Sequence, residues 1–317
     1  MTPRSIPPAS RPAPPDFAIV GAPKCGTTAL YGYLAAHPDV AMSARKEPLF
    51  WSADVRRAGR IEDREAYDAL WSDAPPGALR GEASPEYLRS QVAVPRLLEA
   101  RPDVRLIAMI RHPVELMASL HSNLLLALQE DVADFEAAWR LQERRRRGEA
   151  IPTHCGEPEL LQSSAYAALG DQLERFLSLV PAGQRLVILY DDFRADTRAQ
   201  YLRALGLLGL SDDGRAEFPS AHANRVLRSA GLQAFHRSLR RRLGPLYEPA
   251  RAVARELGMR PSALVERLNV RPAPRKPLRS AFEAELIAGL LPQIETIERL
   301  LGRDLTAWKH PRGRGPR

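Results

Sequence analysis

The stretch FAIVGAPKCGTTAL, residues 17–30, decides both the fold class and the kind of site to expect. Its first residues form an apolar run that ends at Gly21, and such a run predicts a buried strand. Residues 26–36 predict a helix that ends before Pro38. A strand, a glycine-containing loop and a helix in this order are typical of a phosphate site, because loop amides and the helix N-terminus point at the anion.

The loop has the outer frame of a nucleotide-triphosphate P-loop, GxxxxG followed by hydroxyl residues. A P-loop places lysine directly after the second glycine, whereas this chain has Thr27 at that position. The lysine stands inside the loop, at Lys24, where it can neutralise a phosphate or a leaving group. The hydroxyls of Thr27 and Thr28 can donate to phosphate oxygens. An accidental glycine turn and a P-loop nucleotide kinase or NTPase remain alternatives at this point.

The remaining pattern alternates between apolar and amphipathic segments. Strands are predicted at residues 40–42, 79–82, 104–110 and 185–190. Helices are predicted at residues 92–100, 113–128, 134–147 and 159–180, and over most of the chain after residue 197. This alternation predicts an α/β, P-loop-like three-layer fold, with a central parallel sheet flanked by helices and a helical C-terminal part.

The composition sets outer limits on the organisation of the chain. With 317 residues and 44% hydrophobic residues, it can build a sizeable core. Residues 1–16 are proline-rich and predict a disordered tail, residues 17–310 a folded domain, and residues 311–317 a basic tail. No apolar run approaches the ~20 residues that a membrane span needs, and the sequence does not indicate an oligomeric state.

The net charge and the cysteine and histidine content limit the possible ligands, partners and location of the protein. The net charge of +8 suits a phosphate-rich ligand, an anionic substrate or nucleic acid. No nucleic-acid partner is expected, because aromatic RNA-binding motifs, zinc spacings and a recognition-helix motif are missing. Cys25 and Cys155 are too few for a disulfide framework, which favours a reducing, cytoplasmic location. His112, His121 and His154 lack metal-binding partners at helical spacing, so they are interpreted as structural and no metal is expected.

A second phosphate contact is predicted where the strand at residues 104–110 ends. Arg111 follows that strand directly, at the edge where α/β folds bind ligands. Ser119 lies two turns into the next predicted helix and can face the same crevice. An arginine with a hydroxyl makes a phosphate clamp, although Arg111 alone would equally suit a surface salt bridge.

The loop resembles the PKxGTT segment that binds the 5′-phosphosulfate in sulfotransferases that use 3′-phosphoadenosine 5′-phosphosulfate (PAPS). The resemblance implies that Lys24 bridges the transferring sulfuryl group and the departing phosphate. It also implies that the residues after Lys24 bind the donor, with Cys25 at a variable position: Cys25, Gly26, Thr27 and Thr28.

In the same family, an RxP motif followed by serine grips the donor's 3′-phosphate, a role that the resemblance gives to Arg111 and Ser119. The family often has a further basic residue before this serine, and Leu116 and Met117 stand there instead, which puts that extra contact in doubt.

Weaker resemblances extend the match to about residue 308. The helix beginning at Tyr166 is similar to one that lies near the donor in this family. Arg225 and Arg228 are candidates for the late basic segment that reaches the 3′-phosphate. The segment GRDLTAW, residues 302–308, resembles a packing motif of the family.

The acceptor side is predicted from KEPLFW, residues 46–51, which resembles the family's KEPxFF segment. In glycan-modifying members a glutamate here is the general base, which makes Glu47 the candidate. Lys46 would screen its charge or meet an anionic substrate. A surface Lys–Glu pair before a proline turn is the alternative.

A further acceptor segment is GEASPEYL, residues 81–88, which resembles GExSPxYL. Ser84 and Tyr87 would either line the acceptor cleft or serve the turn. Ala83 stands where some members carry a lysine, which puts that contact in doubt. Together these resemblances imply sulfuryl transfer from PAPS to a hydroxyl or amine of an unidentified glycan, lipid or small metabolite. A cation and loop amides can stabilise the leaving phosphate, and no metal is expected, because a sulfuryl group carries less charge than a phosphoryl group.

Overall fold

A computed structural model describes residues 14–219, 225–227, 231, 269–273 and 275–311, with the backbone alone for residues 225–227 and 272. Five parallel strands form the main sheet, in the spatial order β2-β3-β1-β4-β5. They are β1 (Phe17–Gly21), β2 (Val40–Met42), β3 (Leu79–Ala83), β4 (Arg105–Ile110) and β5 (Arg185–Leu189). The predicted parallel sheet is therefore confirmed.

Helices connect and follow these strands. In chain order they are α1 (Thr27–Leu34), α2 (Arg64–Asp68), α3 (Ala93–Ala100), α4 (Pro113–Leu126), α5 (Phe135–Arg140), α6 (Gln142–Arg146), α7 (Ser163–Ala167), α8 (Leu169–Leu179), α9 (Tyr190–Ala195), α10 (Thr197–Leu208) and α11 (Ser280–Leu301). Short 3-10 helices occupy Ala69–Trp71, Pro85–Tyr87, Pro158–Leu161, Ala182–Gln184 and Thr306–Trp308. Within the described residues, no helix is both long and apolar enough to cross a membrane.

Backbone contacts divide the described residues into two compact units, each assembled from separate segments of the chain. The first unit contains the main sheet and consists of residues 14–111, 169–219 and 299–301. The second consists of residues 112–168, 225–227, 231, 269–273, 275–298 and 302–311. The predicted division into a domain at residues 17–310 and two tails stays a prediction.

The core of the first unit is the sheet itself. All five residues of β1 are buried, and β4 is buried from Leu106 onward. Gly21 ends β1 where the chain passes close to Leu88, since a Cβ at Gly21 would lie 2.3 Å from the Leu88 Cβ atom. Asp16, just before β1, accepts the Arg80 N–H at 2.6 Å and pairs with Arg101 at 2.6 Å.

The second unit has a helical core of its own. Buried side chains of α4, α5, α7 and α11 form it, among them Met117, Phe135 and Phe282. Arg145 of α6 makes a buried bidentate ion pair with Glu130, at 2.6 and 2.7 Å. Two short antiparallel strands, β6 (Arg225–Leu227) and β7 (Val270–Pro272), pair within the same unit.

Two helix predictions are wrong in their continuity. The helix predicted at 134–147 is divided at Leu141 into α5 and α6. The one predicted at 159–180 is broken at Ala168, whose ψ of 50° is outside the helical range. This break coincides with the passage of the chain from the second unit to the first. Each piece therefore buries its apolar face in a different core, which a single amphipathic pattern does not reveal.

Candidate active site

The loop between β1 and α1 carries Lys24 and presents backbone amides. Lys24 and Gly26 both adopt left-handed φ angles, 66° and 93°. The first intrahelical bonds of α1 run to the Gly26 carbonyl from Ala29 and Leu30, and no side chain caps the helix within the described residues. Thr28 comes before the first residues of α1 whose N–H groups bond within the helix. Its amide N–H can therefore receive an anion at the start of α1.

Cys25 faces the interior from this loop. Its side chain is buried and its Sγ donates to the Pro23 carbonyl at 3.4 Å. Burial raises the pKa of the Cys25 thiol to about 12, although the charges of Arg111 and Lys24 oppose the shift. The thiol therefore stays protonated at neutral pH, and the backbone of Cys25 is the part available to a ligand of the loop.

Arg111 lies against the loop because β1, β4 and β5 are neighbours. Arg111 follows β4 directly and is 8% exposed, and its Nη1 donates to the Lys24 carbonyl at 3.0 Å. Its guanidinium also lies over the Tyr190 ring, 4.4 Å from the centroid. The register pairs Ile110 with Leu189, which places the next residues of both strands side by side. The sequence-based predictions assigned no role to Tyr190. Only the register between β4 and β5 could have indicated that it lies beside Arg111.

Glu47 lies in an unusual backbone segment after β2. Glu47 and Leu49 both have left-handed φ angles, 60° and 59°, which are rare for residues other than glycine. The Glu47 N–H donates to the Ala83 carbonyl at 3.0 Å. Its carboxylate is half-exposed and pairs with Lys46. Both sequence interpretations of Glu47 include such a pair, so the ion pair alone does not choose between them.

Ser84 and Tyr87 were predicted either to contact the acceptor or to serve a turn, and both are fully buried. Ser84 Oγ accepts the Leu49 N–H at 3.2 Å, and the Tyr87 hydroxyl accepts the Trp51 N–H at 3.3 Å. They thus bond to the segment that carries Glu47, and direct contact with an acceptor stays an untested prediction.

Glu82 is a buried carboxyl to which the sequence motifs assigned no role. It is fully buried on β3, and the Tyr87 hydroxyl donates to its Oε2 at 3.4 Å. Burial raises the pKa of Glu82 to about 8, with hydrogen bonds from Tyr67, Tyr87 and Ser84 opposing the shift. Tyr67 was also missed, because nothing in the sequence near α2 connects it to residues 46–51.

The remaining predicted donor contacts belong to the second unit. Ser119 of α4 is 8% exposed and Tyr166 of α7 is 2% exposed. The backbone of Arg225 pairs with Pro272 in the β6–β7 ladder, and Arg228 lies outside the described residues. The donor-binding roles of these four residues stay predictions.

His112 is the residue between Arg111 and α4. Its Nδ1 accepts the Val114 N–H at 3.1 Å, so His112 caps the N-terminus of α4. Its ring packs beside Trp308, with centroids 5.6 Å apart. These contacts agree with the structural interpretation made from the sequence.

Comparison with known proteins identifies a sulfotransferase domain over residues 14–224, more than half of the chain. The heparan sulfate glucosamine 3-O-sulfotransferase 3B1 of Mus musculus is 29% identical over 202 residues, covering 62% of this chain and 46% of that protein. The membrane-associated sulfotransferase kil1 of Dictyostelium discoideum is 34% identical over 101 residues, covering 32% of this chain and 21% of that protein. The chain therefore spans less than half the length of these curated relatives.

A crystal structure of a sulfotransferase from Alicyclobacillus acidocaldarius has a similar fold. The TM-score is 0.68 at 25% sequence identity, and the superposition covers 94% of this chain and 100% of that one.

Proposed function

Because this chain belongs to the sulfotransferase domain family, we propose that it transfers a sulfuryl group from PAPS to a hydroxyl or amine of an acceptor. The observation that carries the proposal is the contact between Arg111 and the Lys24 carbonyl, at 3.0 Å. It brings the Arg111 guanidinium to the backbone of the loop that carries Lys24. PAPS carries anionic groups at both its 3′ and 5′ positions, so this concentration of positive groups fits it.

On the donor side, Lys24 would neutralise the charge that develops on the phosphate oxygen as it leaves sulfur. The amides of residues 26–28 would hold the same phosphosulfate, because the start of α1 adds a partial positive charge. Arg111 would bind the 3′-phosphate. Its stacking on Tyr190 orients the guanidinium and supports that role. A lysine replacement would lack the planar face for this contact.

On the acceptor side, Glu47 would accept the proton of the attacking hydroxyl or amine. The acceptor oxygen or nitrogen forms a bond to sulfur while the bond between sulfur and the 5′-phosphate oxygen breaks. The products are a sulfated acceptor and adenosine 3′,5′-bisphosphate, with the proton on Glu47 before its release to solvent. Lys46 pairs with Glu47 and would screen its charge or meet an anionic substrate.

The proposal includes finer assignments that rest on the sequence resemblance. Ser119, Tyr166, Arg225 and Arg228 would complete the donor site. The acceptor is a glycan, a lipid or a small metabolite, and one relative's name specifies heparan sulfate glucosamine. A cytoplasmic location is part of the proposal and is supported by two unpaired cysteines, Cys25 and Cys155.

Calorimetric titration with adenosine 3′,5′-bisphosphate tests the donor site. We expect saturable binding by the wild type and a loss of about 10-fold to 100-fold in affinity for Lys24→Ala and Arg111→Ala. Arg96→Ala is the matched control, since Arg96 is an exposed arginine of α3 in the same unit. Magnesium-dependent ATP turnover without binding of the bisphosphate would instead favour a nucleotide kinase or NTPase.

Turnover of PAPS tests the acceptor side, with heparan sulfate oligosaccharide, a glycolipid and 4-nitrophenol as acceptor probes and product mass as the readout. We expect Glu47→Gln to retain the affinity for adenosine 3′,5′-bisphosphate while turnover falls by about 10²-fold to 10⁴-fold. Unchanged turnover in Glu47→Gln would remove Glu47 as the base.

A further inference from the structure

The backbone of residues 47–51 is held through its N–H donors at alternate positions. The N–H groups of Glu47, Leu49 and Trp51 donate in turn to the Ala83 carbonyl, Ser84 Oγ and the Tyr87 hydroxyl. A left-handed conformation is strained when a Cβ is present, because the Cβ approaches the following carbonyl oxygen. Two such residues within three positions therefore require outside contacts to keep the segment in one conformation.

The side chains that accept from this segment belong to a buried group that we call the hydroxyl cluster. Its members are Tyr67, Glu82, Ser84 and Tyr87, each with no measurable exposure. The Tyr87 hydroxyl accepts the Trp51 N–H, so its own proton is left for the Glu82 carboxyl, at 3.4 Å. Glu82 thereby fixes the direction in which the Tyr87 hydroxyl points.

Tyr67 contacts Trp51 in a similar way, through a hydroxyl that accepts an N–H of the Trp51 side chain. Its hydroxyl accepts the Trp51 Nε1–H at 2.8 Å. The Tyr67 ring stacks on Phe50, with centroids 4.3 Å apart, and meets the Trp51 ring edge-on. Two tyrosine hydroxyls therefore hold Trp51: Tyr87 accepts its backbone N–H, and Tyr67 accepts its side-chain N–H.

We propose that the hydroxyl cluster is a positioning device for Glu47, which it fixes by holding residues 47–51 against β3 and the turn after it. Its members are fully buried and hydrogen-bond to the segment that carries Glu47, so they act through that segment. The carboxylate of Glu47 itself, by contrast, is half-exposed and open to a substrate. A general base must be held within hydrogen-bond reach of the proton that it accepts, and a displacement of ~1 Å can cost about 100-fold in rate.

This inference rests on the proposed function, because it explains how that function's base is oriented. Its test combines hydrogen exchange of the peptide covering residues 46–52 with turnover of PAPS on the acceptor probes, both on the full chain. Tyr87→Phe keeps the ring and removes the acceptor of the Trp51 N–H. Ser84→Ala removes the acceptor of the Leu49 N–H with a smaller change in volume, and remains available if Tyr87→Phe does not fold.

Tyr201→Phe is the matched control. Tyr201 is also fully buried in the first unit, but its hydroxyl donates to Asp213, at 3.1 Å, instead of to the hydroxyl cluster. We expect the 46–52 peptide to exchange about 10-fold faster in Tyr87→Phe and Ser84→Ala. Turnover should fall by about 10-fold to 100-fold, while affinity for adenosine 3′,5′-bisphosphate stays unchanged. Tyr201→Phe should match the wild type in exchange and turnover.

Equal exchange in wild type and both variants would overturn the inference, and so would faster exchange without any loss of turnover. In both cases an active wild type would leave the proposed function standing. A wild type that neither binds adenosine 3′,5′-bisphosphate nor transfers to any probe would contradict the proposed function, and with it the role of Glu47 as a base.

Discussion

The loop at residues 21–28 and the segment at residues 46–51 follow two strands of the same sheet, and each carries one candidate catalytic side chain. Both also contain left-handed residues other than glycine: Lys24 in the loop, and Glu47 with Leu49 in the segment. The loop is framed by its own neighbours in the sequence, a strand before it and a helix after it. The segment is fixed by hydroxyls that lie 35 and 36 residues further along the chain.

The difference explains why the two regions respond differently to changes in the sequence. In the loop, a glycine permits the turn and the start of α1 supplies the amides, so the residues that shape the site are also the residues that bind. In the segment, the candidate base and the groups that orient it are separate. A substitution far from Glu47 in the sequence can therefore alter its position, while the loop is altered by changes within it and at Arg111, which donates to the Lys24 carbonyl.

The largest effect that would test this contrast is expected from Gly26→Ala. Gly26 has a φ of 93°, and a Cβ there would lie 3.2 Å from the Tyr190 ring and 3.3 Å from Met109. Strain of about 1–3 kcal/mol follows from the φ angle alone. We expect affinity for adenosine 3′,5′-bisphosphate to fall about 10-fold to 100-fold by calorimetry.

Gly32→Ala is the control for Gly26→Ala. Gly32 lies in α1, close to the loop, and a Cβ there would meet no described atom within 4 Å. Alanine should leave nucleotide affinity unchanged and stabilise the helix by up to about 1 kcal/mol. If Gly26→Ala kept wild-type affinity, the conformation of the loop would not depend on its own glycine. The contrast with residues 46–51 would then be wrong on this point.

Local order along the chain decided how much the sequence predicted. The strand, loop and helix around Gly21 are consecutive, so their pattern was enough to predict them and to place Lys24 between them. Arg111 was predicted as a strand-end cation, and its contact with the Lys24 carbonyl follows from the order of β1 and β4. Tyr190 needed strand register as well, because it meets Arg111 only through the pairing of β4 with β5.

The segment around Glu47 was predictable only in part. The motif at residues 46–51 nominated Glu47, but the partners that hold it depend on tertiary structure. The sequence motifs assigned no role to Glu82, and its burial depends on tertiary structure. The helix predicted at 159–180 failed for a related reason, since its two halves pack in different units.

A second effect concerns the pH dependence of stability. Burial raises the pKa of Glu82 to about 8 from its ordinary 4.5, because the groups that bond to it within the described residues are hydroxyls and not cations. In the second unit, burial also acts to raise the pKa of Glu130, but the Arg145 guanidinium and backbone N–H donors outweigh it and hold that pKa below its usual value. Of these two buried carboxyls, Glu130 has a neighbouring cation and favours its charged form, whereas Glu82 favours its neutral form.

Glu82→Gln tests this through unfolding in denaturant at several pH values. Between the two pKa values the folded wild type keeps a proton on Glu82 that the unfolded chain releases. Its free energy of unfolding should therefore fall by up to about 1.4 kcal/mol per pH unit as pH rises from ~5 to ~8. Glu82→Gln should lack this part of the slope. Glu99→Gln, which removes an exposed carboxyl of α3, should run parallel to the wild type, and a slope unchanged in Glu82→Gln would contradict the assignment.

The smallest expected effect is at Cys25, where the loop turns its side chain inward and its backbone outward. Alkylation requires a thiolate, and burial holds the pKa of the Cys25 thiol at about 12. Native protein treated with iodoacetamide near pH 8 should be labelled at the partly exposed Cys155 and not at Cys25, with nucleotide affinity unchanged; denaturant should make both react. Peptide mass measurement distinguishes the two sites. Rapid labelling of Cys25 in the native state would mean that the loop opens readily and that burial does not protect its thiol.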